Sequence, residues 1–344
     1  MSQRKAGFGW VLLAACLILS CDLVSGPGKG EVFSTDHPPK GTVCTVWAPS
    51  NTYSDMQQLQ WAGDGESIYV TCVNGLYFNS PGFLVEYGLF GQKRLYYRSF
   101  SSLDFISYSS CVDEAADYVY TGRARPYYYS GFGLSGYIFR DYGDDRMEDR
   151  FFIDDNQQRY DLHFTPDGSG FGYWVDLYRS DQFAFAVFDR ATETETQFFT
   201  VEPDLFDTRH FCWWPTGDSI VTAVNLSETE HAMARIYLDG SYELLTPVQA
   251  DEVNLPSVDP LGNRVVFQRT TTGPGDTSSH FLCEYDIATG VFSDVIEPKT
   301  LPDETEYEYI LFDPAGEWIA FIETYPRVSG NLQALKAIYW PEEE

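Results

Sequence analysis

Carboxylates are the chemically capable residues of this sequence, and they collect in four stretches: Asp154–Asp161 (DDNQQRYD), Val201–Arg209 (VEPDLFDTR), Gln249–Asn254 (QADEVN) and Glu297–Tyr309 (EPKTLPDETEYEY). Their candidate binding residues are Asp154, Asp155, Asp204, Asp207, Asp251, Glu252, Asp303 and Glu304. Two carboxylates flanking a glycosidic bond can act as acid and base, or as acid and nucleophile. A broader ring of carboxylates instead sums to a negative potential that docks a cationic partner. The second chemistry is the expected one. A fifth stretch, Thr121–Gly136 (TGRARPYYYSGFGLSG), sets Arg123 and Arg125 beside Tyr127, Tyr128, Tyr129 and Phe132. Arginine among rigid aromatics is the composition of an interface hot spot.

The signatures of better-known active sites are absent. GLSGY lacks the spacing of a nucleophile elbow. His37, His163, His210, His231 and His280 form no H-E-x-x-H pair, and neither a P-loop nor a dinucleotide fingerprint occurs. His163 and His210 fall at inner-strand positions and are expected to be structural. The acidic turn Asp141–Asp149 (DYGDDRMED) offers the oxygens that calcium wants but not EF-hand spacing, so no metal and no cofactor is expected. Cys44, Cys72, Cys111, Cys212 and Cys283 match no zinc pattern and read as buried thiols. One disulfide is compatible with an oxidising compartment, without a pairing that the sequence assigns. The formal charge of −29, from 51 acids against 22 bases, argues against nucleic acid as a partner.

The elements that must position these residues are strands. Aromatics make up 17% of the chain, with 28 glycines and 18 prolines, a composition of strands and short turns. The stretch LHFTPDGSGFGYW (Leu162–Trp174) recurs as LQWAGDGESIYV (Leu59–Val70), FCWWPTGDSIVTA (Phe211–Ala223), PSVDPLGNRVVFQ (Pro256–Gln268) and ILFDPAGEWIAFI (Ile310–Ile322). The turn glycines Gly65, Gly168, Gly217, Gly262 and Gly316 recur at roughly 50 residues, except for a first interval twice as long. Midway in that interval stands YSSCVDEAADYVYT (Tyr108–Thr121), with Ala115 at the glycine position. Second hairpins follow the first, as in AMARIYLD-GS-YELLTP (Ala232–Pro247). Four antiparallel strands per unit predict an all-β, six-bladed β-propeller over residues 41–344. The last unit lacks its fourth strand, and strand 42–47 (TVCTVW) is expected to close that blade beside Ala334–Trp340.

The pattern in FTPDGSGFGYW and FDPAGEWIAF resembles the propeller repeat of TolB-like proteins, over nearly the whole of residues 42–340. That resemblance implies a fold more than an activity. At the N-terminus, residues 1–20 combine Arg4 and Lys5 with the apolar run Phe8–Leu19, as an export signal does. Ile18-Leu19-Ser20-Cys21 resembles a bacterial lipobox, which implies lipid on Cys21; Leu13-Ala14-Ala15-Cys16 is the weaker alternative. Residues 21–40 read as a flexible tether. The expectation is a lipid-anchored protein of a bacterial cell envelope, non-catalytic, binding another envelope protein, a cationic peptide or a glycan. The alternative is a propeller hydrolase or lyase using channel carboxylates.

Overall fold

A computed structural model describes residues 38–48, 54–74, 82–89, 93–98, 106–113, 118–124, 132–138, 147–153, 157–177, 180–207, 210–273, 277–296, 305–325 and 332–342. The expected signal and lipidation residues, including Cys16 and Cys21, lie outside them. The described residues form strands and the turns between them. After β1 (Val43–Trp47) come β2 (Ser54–Trp61), β3 (Ser67–Asn74), β4 (Gly82–Gly88) and β5 (Lys93–Arg98), then β6 (Ile106–Asp113), β7 (Tyr118–Ala124), β8 (Phe132–Ile138) and β9 (Met147–Ile153). The third group is β10 (Gln158–Phe164), β11 (Gly170–Asp176), β12 (Phe183–Asp189) and β13 (Thr194–Val201). The fourth is β14 (Cys212–Trp213), β15 (Ser219–Ser227), β16 (Glu230–Tyr237) and β17 (Tyr242–Leu244). The last are β18 (Glu252–Val258), β19 (Arg264–Gly273), β20 (Thr277–Asp286), β21 (Val291–Ile296), β22 (Glu306–Phe312), β23 (Trp318–Tyr325) and β24 (Leu332–Tyr339).

Antiparallel pairing gathers these into four-stranded sheets, each running in chain order outward from its inner strand; the last has the order β1-β24-β23-β22. β1 lies on β24 with Val43 opposite Ile338 and Cys44 opposite Ala337. Trp47 stacks on Tyr87 of β4 at 5.0 Å between ring centroids, so the same strand also grips the first blade.

The expected ring of six like blades is corrected by how the sheets pack. Five sheets build the propeller's described core: β2–β5, β10–β13, β14–β17, β18–β21, and β22–β24 with β1. The β6–β9 sheet is paired through its backbone, and Val112, buried, is its one described side chain. Five blades with a described packed core stand in the ring, not the six expected. The remaining unit differs in sequence. It is the degenerate copy, with Ala115 at the glycine position, and Ala115 itself lies outside the described residues.

Between the five blades the packing is aromatic. Phe185, fully buried, meets Trp174, Phe199, Phe211 and Trp213 at centroid distances of 5.3, 5.5, 5.1 and 5.5 Å, joining the third and fourth groups of strands. Such offset and edge-to-face pairs add to the burial of apolar area. No room is spared: a Cβ on Gly172 would meet the Trp213 ring at 2.4 Å.

The turns between first and second strands make one face. Their glycines all take φ between +69° and +74°, a region that an L side chain enters only under strain. Four of these turns also rest on the turn of a neighbouring packed blade. A Cβ on Gly217 would lie 3.5 Å from Pro166, one on Gly262 3.0 Å from Trp214, and one on Gly316 3.2 Å from Pro260. Gly65 of the first blade faces Asp313 and Pro314 of the last, at 3.4 and 3.8 Å. The repeated motif is thus an inter-blade contact as well as a hairpin. Beneath it Arg264, buried, donates to the Gly316 and Trp340 carbonyls at 2.6 and 3.2 Å and pairs with Asp259 and Glu284 at 3.5 and 3.4 Å.

Each inner strand leaves one edge facing the channel, where an N–H without a partner would be costly. A side chain from the blade before it supplies the acceptor. Gln333 caps Met56 N at 2.5 Å, Gln60 caps Val112 N at 2.7 Å, Asp161 caps Phe211 N at 2.8 Å, Gln268 caps Tyr307 N at 2.9 Å and Ser257 caps Phe312 N at 2.9 Å.

Candidate functional site

Inner-strand pairing is interrupted at corresponding places. The register slips between Met56 and Gln58 in β2, Ser107 and Ser109 in β6, Tyr160 and His163 in β10, Asn254 and Ser257 in β18, and Glu308 and Leu311 in β22. Bulges of this kind re-aim side chains and recur next to binding sites. Counting seven residues back from each turn glycine gives Gln58, Asp161, His210, Leu255 and Tyr309. Asp161, Leu255 and Tyr309 take φ of +57°, +55° and +52°, a strained conformation for side chains of their size.

Three of these positions assemble a polar centre. Asp161 accepts from His163 Nε2 at 2.7 Å through one oxygen and from Phe211 N at 2.8 Å through the other. His163 packs edge-on to Phe211, with centroids 4.9 Å apart. His210 Nδ1 lies 3.3 Å from Asp207 Oδ2, and its ring meets Tyr309 edge-on at 6.3 Å. From β22, Glu308 accepts from Thr324 Oγ1 and Gln333 Nε2, each at 3.3 Å. The side chains of His163 and His210 remain 22% and 32% exposed, so both rings can be reached by a ligand.

Burial by itself would push the His210 imidazolium down. The hydrogen bond to Asp207 and the charges of Asp161, Asp207 and Glu308 outweigh it, and the ring titrates above its ordinary value. Cys212, next along, is pushed up to about 12 by burial, with the negative Asp161 adding to the rise, and stays a neutral thiol. The centre therefore sets the two imidazole rings beside carboxylates of β10 and of the segment before β14, with Glu308 of β22 also bearing on His210.

The expected binding residues fare unequally. Asp207 joins this centre. Asp251 is tied to Arg269 of β19, while Glu252 at the start of β18 and Asp204 are exposed. Arg123 ends near the tip of β7, one pair away from Phe132 of β8, whose register partner is Ala124. The side chains of Arg123 and Phe132 are outside the described set, as are Arg125, Tyr127, Tyr128, Tyr129, Asp154, Asp155, Asp303 and Glu304. Cys44 and Cys72 are buried, and Cys212 and Cys283 are free thiols. His163 and His210, set aside as structural, are central to the site, and Asp161, Glu308 and Tyr309 join them. The signal that finds them is their fixed distance from the turn glycines.

No family model matches the sequence, and no curated protein matches it. Solved structures do. A TolB from Agrobacterium tumefaciens superposes with a TM-score of 0.52 at 16% identity, covering 86% of this chain and 93% of that one. The fold is that of a TolB-like β-propeller. An oligogalacturonate lyase from Vibrio parahaemolyticus gives 0.57 at 11% identity, over 91% of this propeller and 97% of that chain. A further oligogalacturonate lyase, solved with manganese, gives 0.52 at 12% identity with the same coverage. At such identities the likeness carries the fold alone. Among the described residues no three His, Cys, Asp or Glu side chains group to hold a metal ion. Nor is any helix among them long and apolar enough to cross a membrane.

Proposed function

We propose that this propeller is a non-catalytic binding module, lipid-anchored in a bacterial cell envelope, that recognises a cationic segment of another protein. One observation carries the reading: the channel carboxylates are already occupied. Asp161 has both oxygens engaged, by His163 and Phe211 N, and Glu308 has both engaged, by Thr324 and Gln333. A general acid or base must reach the proton it transfers, whereas carboxylates fixed by neighbours make a preorganised negative surface. The formal charge of −29 supports the sign of the partner and disfavours a polyanionic substrate. The lipobox-like Ile18–Cys21 supports the anchor.

The test uses the full chain and acetyl-hexalysine-amide in isothermal titration calorimetry at low and high salt. Binding that weakens steeply with salt is expected. Absence of binding at low salt overturns the reading, and so does formation of unsaturated product from oligogalacturonate. Cys21→Ser is expected to abolish labelling by a palmitate analogue in cells.

A second reading, a hydrolase or lyase, is favoured by one feature. The His210 ring titrates above its ordinary value and is partly exposed, as suits a general acid.

A further inference from the structure

We propose that the outer edge of the fourth group of strands, at Tyr242–Leu244 of β17, accepts an extended segment of a partner protein as an added strand, one in which a basic residue stands between apolar ones. This surface is distinct from the channel centre, and the inference does not depend on the reading given above for that centre. It starts from where backbone groups point. β17 is the edge strand of its sheet, with Tyr242 opposite Ile236, Glu243 opposite Arg235 and Leu244 opposite Ala234 of β16. To either side, Tyr237 N donates to Ser241 O and Leu245 N to Met233 O, each at 2.8 Å. Hydrogen-bonded pairs alternate along an antiparallel ladder, so Glu243 turns its N–H and C=O inward to Arg235. Those of Tyr242 and Leu244 turn outward, past the rim of the sheet. An open edge of this kind is a template for a further strand.

The side chains on this edge select the occupant. Tyr242, Leu244 and, just beyond, Val248 are 45%, 42% and 44% exposed, and no other stretch as short holds three exposed large apolar side chains among the described residues. The Tyr242 ring is held edge-on to buried Phe206, with centroids 5.3 Å apart. Side chains alternate along a strand, which puts Glu243 on the other side. There it accepts from Tyr237 Oη at 2.6 Å, lies 3.9 Å from Arg235 Nη1 and keeps 56% of its side chain exposed. From Asp239 to Ala250 the charged residues are Asp239 and Glu243, both acidic. A second copy of this chain is the wrong occupant. Pairing two such edges about their common centre sets Glu243 directly opposite its own copy, and like charges so placed are destabilising. A lysine or arginine at that place is attracted instead, and the apolar residues flanking it lie against Tyr242 and Leu244.

The experiment titrates acetyl-Thr-Val-Lys-Val-Thr-amide into the full chain, beside the same peptide with Glu in place of Lys, and follows hydrogen exchange in the unaltered protein. Saturable binding of the lysine peptide is expected, about fivefold tighter than that of its glutamate counterpart. Exchange is expected to slow at the amides of Tyr242 and Leu244. Leu244→Pro removes an N–H that points out of the sheet, so the fold is expected to survive while binding weakens about tenfold. Glu243→Lys is expected to reverse the order of the two peptides, which keeps the test decisive should the proline variant not fold. Binding of neither peptide, equal binding to wild type and Leu244→Pro, or an unchanged order in Glu243→Lys overturns the inference. So does sedimentation of the chain as a dimer that Leu244→Pro abolishes, which would give the edge to a second copy. Each of these failures leaves the cationic-partner reading of the channel standing, since that reading is decided by the hexalysine titration.

Discussion

The turn face and the channel centre are built on the same strands and obey opposite rules. At the turns, five glycines adopt nearly one φ, and all but Gly168 sit on the turn of the preceding packed blade, with Gly65 meeting the last. Seven residues back along each inner strand the positions are Gln58, Asp161, His210, Leu255 and Tyr309, and no two are alike. Repetition at one level holds the blades together. Variation at the other, on backbone that already departs from regular pairing, sets the rings of His163 and His210 against Asp161 and Asp207. In this molecule what repeats is structural and what departs from the repeat is a candidate for function.

That contrast can be broken most severely at Arg264. Arg264→Ala removes the donor to Gly316 and Trp340 and leaves Asp259 and Glu284 without their buried counter-charge, so a loss of about 3–5 kcal/mol is expected in urea unfolding. Phenotypes at the turns should then grade with contact. Gly316→Ala meets both a positive φ and Pro260 at 3.2 Å, and about 2–3 kcal/mol is expected. Gly168→Ala has the same backbone problem with nothing within 4 Å, and only about 1 kcal/mol is expected. Equal losses at the two glycines would show that the turns matter as hairpins and not as inter-blade contacts.

Substitutions at the centre should act on titration more than on folding. In Asp161→Asn the amide oxygen can still cap Phe211 N but the charge is gone, so the His210 titration followed by NMR is expected to move down. The smallest effect concerns stability against pH. The folded pKa of His210 lies above its value in the unfolded chain, about 6.5. Its protonation therefore contributes stability that is fully present below about pH 6.5 and is lost as the pH climbs through the raised folded value. The gap in stability between wild type and His210→Gln is expected to close over that window, and a gap independent of pH would detach His210 from its carboxylates.

Much of the fold is legible in sequence because its determinants are local. Pro-Asp-Gly and its relatives set the turns, and alternating apolar residues set strands such as Trp318–Tyr325. The strand Val43–Trp47 is legible for a less local reason: the final unit is a strand short. Counting glycines also misled, since it gave six blades where five with a described packed core stand in the ring. The site was harder to read. Asp161, His163, His210 and Glu308 are far apart in the chain, and their types alone do not distinguish a channel from a solvated loop. Only bulges that slip the register of β10 and β22 make them neighbours, and a bulge leaves no composition behind.

One consequence follows from β1 lying on β24. During synthesis Val43–Trp47 leaves the ribosome long before its partner exists, and must wait through the making of every other blade. The last sheet can be zipped only once Leu332–Tyr339 has emerged. Until then a nascent chain carries an unsatisfied edge, and chaperones would meet it in that open form.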